Sequence, residues 1–409
     1  MLYYNITFLT CGILNMKFKL LTKLLVLTFV LSKCAYAADD EHDHDHSAHS
    51  DEKFYGHVGI RLHADHVNDA GEGEEEVNEL YTHSHIELGS RIAESLNIDT
   101  NLKIEGEPGG HSHGGVSRTH DGESRIFEDH PLIVESLTLT YNHEDFSAYL
   151  GKFNPKVGLD YHSFPGLWSY SMIEEYKIAE RIGAGIKYGT NLEDFGTHQL
   201  NISAFHADTT FLSDSLLDQR GHTSKKDGGL GNTEDFDSYA ISLGGKDFYS
   251  LNNNIAERVS YRLGYAHQEA GSTESDEERY SASLVYKEKF SEGISKTFIV
   301  EYMNIDHYGG ETGHDRSYFT ASLGLKMDRW NFATTYSFVD NDVKEEEEEE
   351  EEEGHEHSEH EGDDGKILQI SIGYAVTPAV EINFGFKRAD EEAEVNERFG
   401  LGLRYSFEL

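Results

Sequence analysis

The chain has 409 residues, with 76 Asp and Glu against 34 Lys and Arg, for a formal net charge of −42. So acidic a balance excludes nucleic acid as a partner on electrostatic grounds and favours cations. Its two cysteines, Cys11 and Cys34, both precede the expected cleavage point, so the mature chain has neither disulfides nor a cysteine metal site.

Residues 16–37, "MKFKLLTKLLVLTFVLSKCAYA", have the parts of an export signal. Lys17, Lys19 and Lys23 make a positive start, Leu24 to Leu31 an apolar stretch too short for a transmembrane helix, and Ala35-Tyr36-Ala37 a small-x-small cleavage site. Residues 1–37 are therefore read as a signal peptide whose true start is Met16. "LSKC" resembles a lipoprotein box only faintly, because Lys33 precedes the cysteine. Residues 38–52, with "DDEHDHDHSAHSDE", are expected to form a disordered periplasmic tail, and residues 53–409 the folded body.

Beyond Glu52 no run of apolar residues is long enough for a membrane helix. Period-two alternation recurs instead. It defines sixteen segments, at about 54–65, 81–90, 98–106, 132–142, 146–154, 177–189, 198–208, 236–248, 257–268, 279–290, 296–307, 316–327, 329–341, 366–376, 379–389 and 396–409. In the last, Phe399, Leu401, Leu403, Tyr405, Phe407 and Leu409 share one face, and Arg398, Gly400, Gly402, Arg404, Ser406 and Glu408 the other. The segments are long enough to cross a bilayer when tilted. Tyr81, Tyr141, Phe146, Tyr188, Tyr239, Tyr280, Trp330 and Tyr374 sit near segment ends, where interfacial girdles lie. All five prolines fall between segments or at their ends, as sheet pairing requires.

Connectors alternate in length. Those after even-numbered segments are short, such as "HED", "SEGIS" and "TP"; those after odd-numbered segments are mostly long and acidic, down to "DEEAEVNE" near the end. The expected fold is an all-β, transmembrane, antiparallel up-and-down barrel of sixteen strands, with short turns on the periplasmic side.

The stretch "YLGKFNPKVGLD" (149–160) resembles the strand-to-loop junction of phosphate- and carbohydrate-selective porins, and "AERIGAGIKYG" resumes a strand as in that group. The terminal "YSFEL" is similar to the assembly signal of such barrels, although Leu409 replaces the usual final aromatic. The resemblance implies a porin of the Gram-negative outer membrane, exported through the periplasm, with lipid, small hydrophilic solutes and cations as partners and a homotrimer as one assembly. The strongly acidic chain departs from the basic constrictions of the phosphate-binding members.

The third outer loop, "PKVGLDYHSFPGLWSYSMIEEY", is apolar and aromatic, unlike the others. In sixteen-stranded porins this loop folds inward and narrows the pore. The resemblance implies a constriction in which Asp160, Glu174 and Glu175 face Lys152, Lys156 and Arg181, with Trp168 beside them. The alternative is a loop on the rim or against a neighbouring subunit.

Histidines recur with alternate spacing. If the first hairpin is symmetric about Gly73, His63 lies across from His83, with His85 on the same inward face, close enough for two imidazoles to share a metal; solvated lumen histidines are the other reading. "GGHSHGG" carries His111 and His113, and "GHEHSEHEG" carries His355, His357 and His360 after nine consecutive glutamates (345–353). None has the spacing of a rigid structural zinc site, but each can hold Zn²⁺ weakly through imidazole and carboxylate. No cofactor is required by any motif. No nucleophile elbow, P-loop or HExxH marks an enzyme.

The functional expectation is passive diffusion of small hydrophilic solutes with a cation bias, the outer loops concentrating divalent metals. The alternatives are a sugar or organic-ion channel with Tyr161, Trp168 and Tyr170 as a stacking surface, and a non-transporting, metal-sequestering barrel.

Overall fold

A computed structural model describes residues 53–409 except 71–76, 107–124, 129, 169–170, 219, 249–257, 344–364 and 392–393. The expectations for the signal peptide, the tail, the polyglutamate tract, Tyr170, His111, His113, His355, His357 and His360 lie outside the described residues.

Among the described residues sixteen antiparallel strands form the barrel wall. They are β1 (Phe54–Ala70), β2 (Val77–Ala93), β3 (Leu96–Glu105), β4 (Pro131–His143), β5 (Phe146–Phe153), β6 (Arg181–Asn191), β7 (Thr197–Ala207) and β8 (Ser238–Lys246). The wall continues through β9 (Val259–Gln268), β10 (Glu277–Ser291), β11 (Ile294–Asp306), β12 (His314–Met327), β13 (Trp330–Val343), β14 (Gly365–Thr377), β15 (Val380–Glu391) and β16 (Glu394–Glu408). It closes where β1 pairs with β16, from His57 opposite Glu408 to Ala70 opposite Asn396. Closure leaves no sheet edge, so the ladder satisfies the backbone without water, as hydrocarbon demands. Two-residue strands at Arg125–Ile126 and Leu216–Leu217 lie against β2 and β4 in the outer loops, outside the wall.

The sixteen alternating segments are thus sixteen strands. Their ends differ in several places; β6, for one, begins at Arg181 and not at 177. β1 and β2 each run 17 residues, beyond the expected limits at residues 65 and 81. The supposed loop "DEEAEVNE" is mostly strand, with Glu391 paired to Glu394. Ladder pairing continues past the membrane edge, where both faces are wet and the hydrophobic alternation that marks a strand disappears.

Alternation follows from the two environments of the wall. Outward Leu150, Leu263, Ile370, Phe384 and Leu401 are half or more exposed on the isolated chain. Facing water, such a belt costs about 25 cal/mol per Å²; facing acyl chains it does not. Aromatic residues border the belt. Trp330 and Tyr374 stand at the short-turn end with ring centroids 4.8 Å apart, and Tyr265 and Tyr280 lie towards the other end at 5.1 Å. Tyr81 is not a girdle residue: it is buried and faces inward, donating its hydroxyl to Asp65.

The hydrophobic core lies inside the barrel, between the wall and the loop after β5. Val157, Phe164, Ile173, Tyr176 and Ile178 of that loop are buried with Phe205, Ile299, Met303, Ile305, Tyr318 and Ile367 of the wall. β11 shows why. It carries Phe298 and Tyr302 outward and Ile299, Met303 and Ile305 inward, so apolar residues occupy both faces. A strand apolar on both faces is covered on both, here by lipid outside and the loop inside.

Candidate functional site: a strapped lumen and its charged cleft

Residues 154–180 cross the lumen as a strap. They include a short helix, α1 (Ser171–Tyr176). The two stems are stapled together. Lys152, fully buried on β5, donates Nζ to Glu180 Oε2 at 2.9 Å and to the Leu212 carbonyl at 2.8 Å, and pairs with Asp208 at 2.9 Å. Arg220 grips Glu180 with both terminal nitrogens, at 2.7 and 2.6 Å. Burial alone would raise the Glu180 pKa, but Arg220 and then Lys152 hold it down to about 2. A carboxylate depressed in the folded state contributes stability that is complete above its ordinary range, near pH 4.3, and lost as pH falls towards 2. The strap is therefore expected to stay locked down to about pH 5 and to loosen below about pH 3. Bilayer recordings across that range check this, and Glu180→Gln should be loose already at neutral pH.

Two carboxylates on the wall fix the middle of the strap. Glu301 on β11 accepts the Leu159 N–H at 2.7 Å, the Tyr176 hydroxyl at 2.7 Å and the Ser283 hydroxyl at 2.6 Å. On β1, Asp65 Oδ2 accepts the Trp168 indole N–H at 3.0 Å and the Tyr81 hydroxyl at 2.9 Å. Arg398 reaches the same oxygen at 3.3 Å and Glu79 at 3.0 Å. The Trp168 ring sits over Gly385 and Gly400, where a Cβ on either glycine would overlap it, and Leu167 covers Gly402 in the same way. Several inward glycines are thus sockets for the strap, where the sequence suggested only a wet wall.

The strap's polar edge faces the β2–β4 side of the wall. Glu174 of α1 accepts from Lys103 Nζ at 3.0 Å, and Lys103 also pairs with Glu105 at 2.5 Å. Lys177 donates to Glu135 at 2.7 Å, and Asn101 and Asn154 donate to the same carboxylate at 2.8 and 3.1 Å. Lys103, Glu105, Glu135, Glu174, Lys177, Glu180 and Arg220 line one cleft between strap and wall. Four acids meet three bases there, all within hydrogen-bonding distance of opposite charge. The opposed charges set up a transverse field between strap and wall.

Of the seven residues expected at a constriction, Glu174 lines this cleft. Lys152 lies at the strap's root, shielded from the lumen, and Arg181 donates to Gln268 at 2.9 Å on the far side of the stem. Trp168 is buried in its glycine socket with its N–H engaged, which corrects its expected place in a pore lining or stacking surface. Asp160 caps a turn, accepting the His162 N–H at 2.9 Å; Lys156 is exposed and Glu175, within α1, is partly buried. Lys103, Glu105, Glu135, Lys177, Glu180 and Arg220 were missed. Lys103 and Glu105 share the inward parity of β3, a signal the sequence did hold.

The histidine register also needs correction. His63 lies opposite Tyr81, not His83, and the two rings stack with centroids 4.9 Å apart. The hairpin centre is one residue earlier than expected, which moves the partner by two and keeps both side chains inward. His83 Nδ1 meets Glu105 at 2.6 Å. His85 instead approaches His57, with centroids 5.3 Å apart, and His162 of the strap at 5.4 Å. Burial, then Arg61, holds the His162 imidazole well below the usual histidine range.

No protein-family model matches the chain, and no curated protein does. Among solved structures, the chain is similar to the outer membrane channel DcaP of Acinetobacter baumannii, with 12% identity, 87% of this chain and 96% of that one covered, and a TM-score of 0.50. It also matches a loop L8 deletion mutant of OmpT, an outer membrane protein of Vibrio cholerae, at 11% identity over 87% and 100% of the two chains, with a TM-score of 0.47. A triple mutant of the Rhodopseudomonas blastica porin matches at 13% identity over 87% and 100%, also with a TM-score of 0.47. At these identities the likeness speaks for the fold, and the DcaP match agrees with a closed, sixteen-stranded transmembrane barrel.

Proposed function

We propose that this protein is a porin of the Gram-negative outer membrane, through which small hydrophilic solutes diffuse passively with a bias towards cations. The observation that carries the reading is the strap folded across a closed barrel, leaving a narrow cleft of four acids and three bases. Such a cleft selects by size and charge and supplies no nucleophile poised on a base. Kinship with the phosphate- and carbohydrate-selective group rests on the 149–160 junction, and the acidic chain opposes phosphate as the solute.

The outer loops are proposed to gather divalent metals, zinc foremost, and a homotrimer to be the assembled form. At the outer rim His267 Nε2 lies 3.3 Å from Glu269 and 4.0 Å from Asp276, which supports weak cation affinity there. Exposed charge acts over a Debye length of about 8 Å at physiological salt. Reversal potentials in planar bilayers are expected to show cation preference that fades near about 1 M salt. Anion preference would show that the lumen bases outweigh the loops, and absence of any conductance would sink the channel reading. Deleting residues 345–361 should lower the zinc stoichiometry seen by calorimetry and slow zinc uptake when external zinc is scarce.

A further inference from the structure

We propose that His57, His85 and Glu87 form a lumenal site for a divalent transition-metal ion, on β1 and β2 near the short-turn end of the barrel. The site differs from the outer loops in place and construction, and it stands whether or not the barrel conducts.

The pairing register puts His57 opposite Glu87 and Gly59 opposite His85, so the two histidines lie on a diagonal across one hairpin with the carboxylate beside them. Each of the three side chains offers a donor atom within 4.8 Å of the others. Donors on one tetrahedral zinc stand roughly 3.3 Å apart at bonds of about 2.0–2.2 Å. Small side-chain rotations close that difference.

Three further observations point to a ligand. Both histidines are buried, so neither is a solvated surface imidazole. The Nδ1 of His85 is buried with no hydrogen-bond partner, a costly state for a polar atom that a metal would relieve. Gly59 lies under the His85 ring, and any Cβ there would overlap it, so the glycine lets the imidazole reach over β1 towards His57. Two imidazoles and a carboxylate suit zinc, copper or nickel and do not suit magnesium or calcium, which prefer all-oxygen shells.

A third imidazole stands nearby on the strap. The His162 ring is 5.4 Å from that of His85, and Arg61 lies 3.3 Å from its Nδ1. A metal on the hairpin would therefore sit against the strap and couple its position to metal occupancy. A second cluster, His83, Glu105 and Glu174, is the weaker candidate. There the Lys103 ammonium already bridges the two carboxylates at 2.5 and 3.0 Å, so a metal would have to displace a resident cation.

The test is zinc titration of the full-length protein in detergent, by calorimetry and equilibrium dialysis, against His57→Ala/His85→Ala, His85→Gln, Glu87→Gln and Gly59→Val. Heat-modifiable migration on gels shows which variants form the closed barrel. The double variant should lose one zinc equivalent while those of the His-rich tracts remain. His85→Gln, the fallback should the double variant not fold, should lose the same equivalent. Glu87→Gln and Gly59→Val should weaken it severalfold, the latter without removing a ligand, and excess magnesium should not compete. Unchanged zinc stoichiometry and affinity in folded His85→Gln, or equal displacement by magnesium, would overturn the proposal.

Discussion

Replacing Glu301 with alanine is expected to raise single-channel conductance severalfold. The carboxylate accepts hydrogen bonds from Leu159, Tyr176 and Ser283, two of which belong to the strap. Removing it strands these donors inside the barrel, at about 1–3 kcal/mol for each buried group left unsatisfied. The strap regains those bonds by swinging into water, and the cleft widens. Glu301→Gln keeps the side chain's volume and one acceptor oxygen, so its conductance should fall between the two. Planar-bilayer recordings and liposome swelling with sugars of increasing size measure the effect. A folded Glu301→Ala barrel with unchanged conductance and size limit would mean that the strap is not held by this carboxylate.

The Gly400→Leu barrel should show the same gain by a different route. The inward face at residue 400 is filled by the Trp168 ring, so a side chain there and the indole cannot coexist. Eviction breaks the Trp168–Asp65 hydrogen bond and leaves Asp65 with Tyr81 and Arg398. Strands tolerate leucine well, so the wall should close normally. The double variant Gly400→Leu/Trp168→Ala, in which the new side chain has room, should restore stability without restoring a narrow pore. Equal conductance for Gly400→Leu and the unaltered protein would show that the ring is dispensable for closure.

The wall was legible because lipid writes directly into sequence. On β14, Leu368, Ile370 and Ile372 must meet acyl chains, whereas Gln369 and Ser371 must not. The inward-folded loop was legible from its greasiness, which water would not tolerate. What it packs against was not. Ile299 and Met303 lie on the face that alternation assigns to water, and their meaning emerges only when the strap lies on them. Glu301, flanked by those two, reads as an ordinary lumen acid, yet it is buried and triply hydrogen-bonded. The cleft needs residues from β3, β4, the strap and the next outer loop, and no local pattern links Lys103 to Glu174 across 71 positions. The hairpin register was misplaced because residues 71–73 offer glycines at both ends, and the inward face is preserved by either centre.

The seat of Trp168 has a bearing on how the barrel assembles. The partners of Asp65 come from 16, 103 and 333 positions away along the chain. The last of these can meet Asp65 only when the first strand finds the last, because contacts so distant must await closure of the whole intervening chain. The strap therefore cannot be fully locked on a half-made barrel, whose interior stays open to water until its seam zips. The chain's two tryptophans mark separate moments in that process. Trp330, on the outward belt, meets hydrocarbon when its hairpin inserts; Trp168, between β1 and β16, loses its water only when the ends of the chain come together.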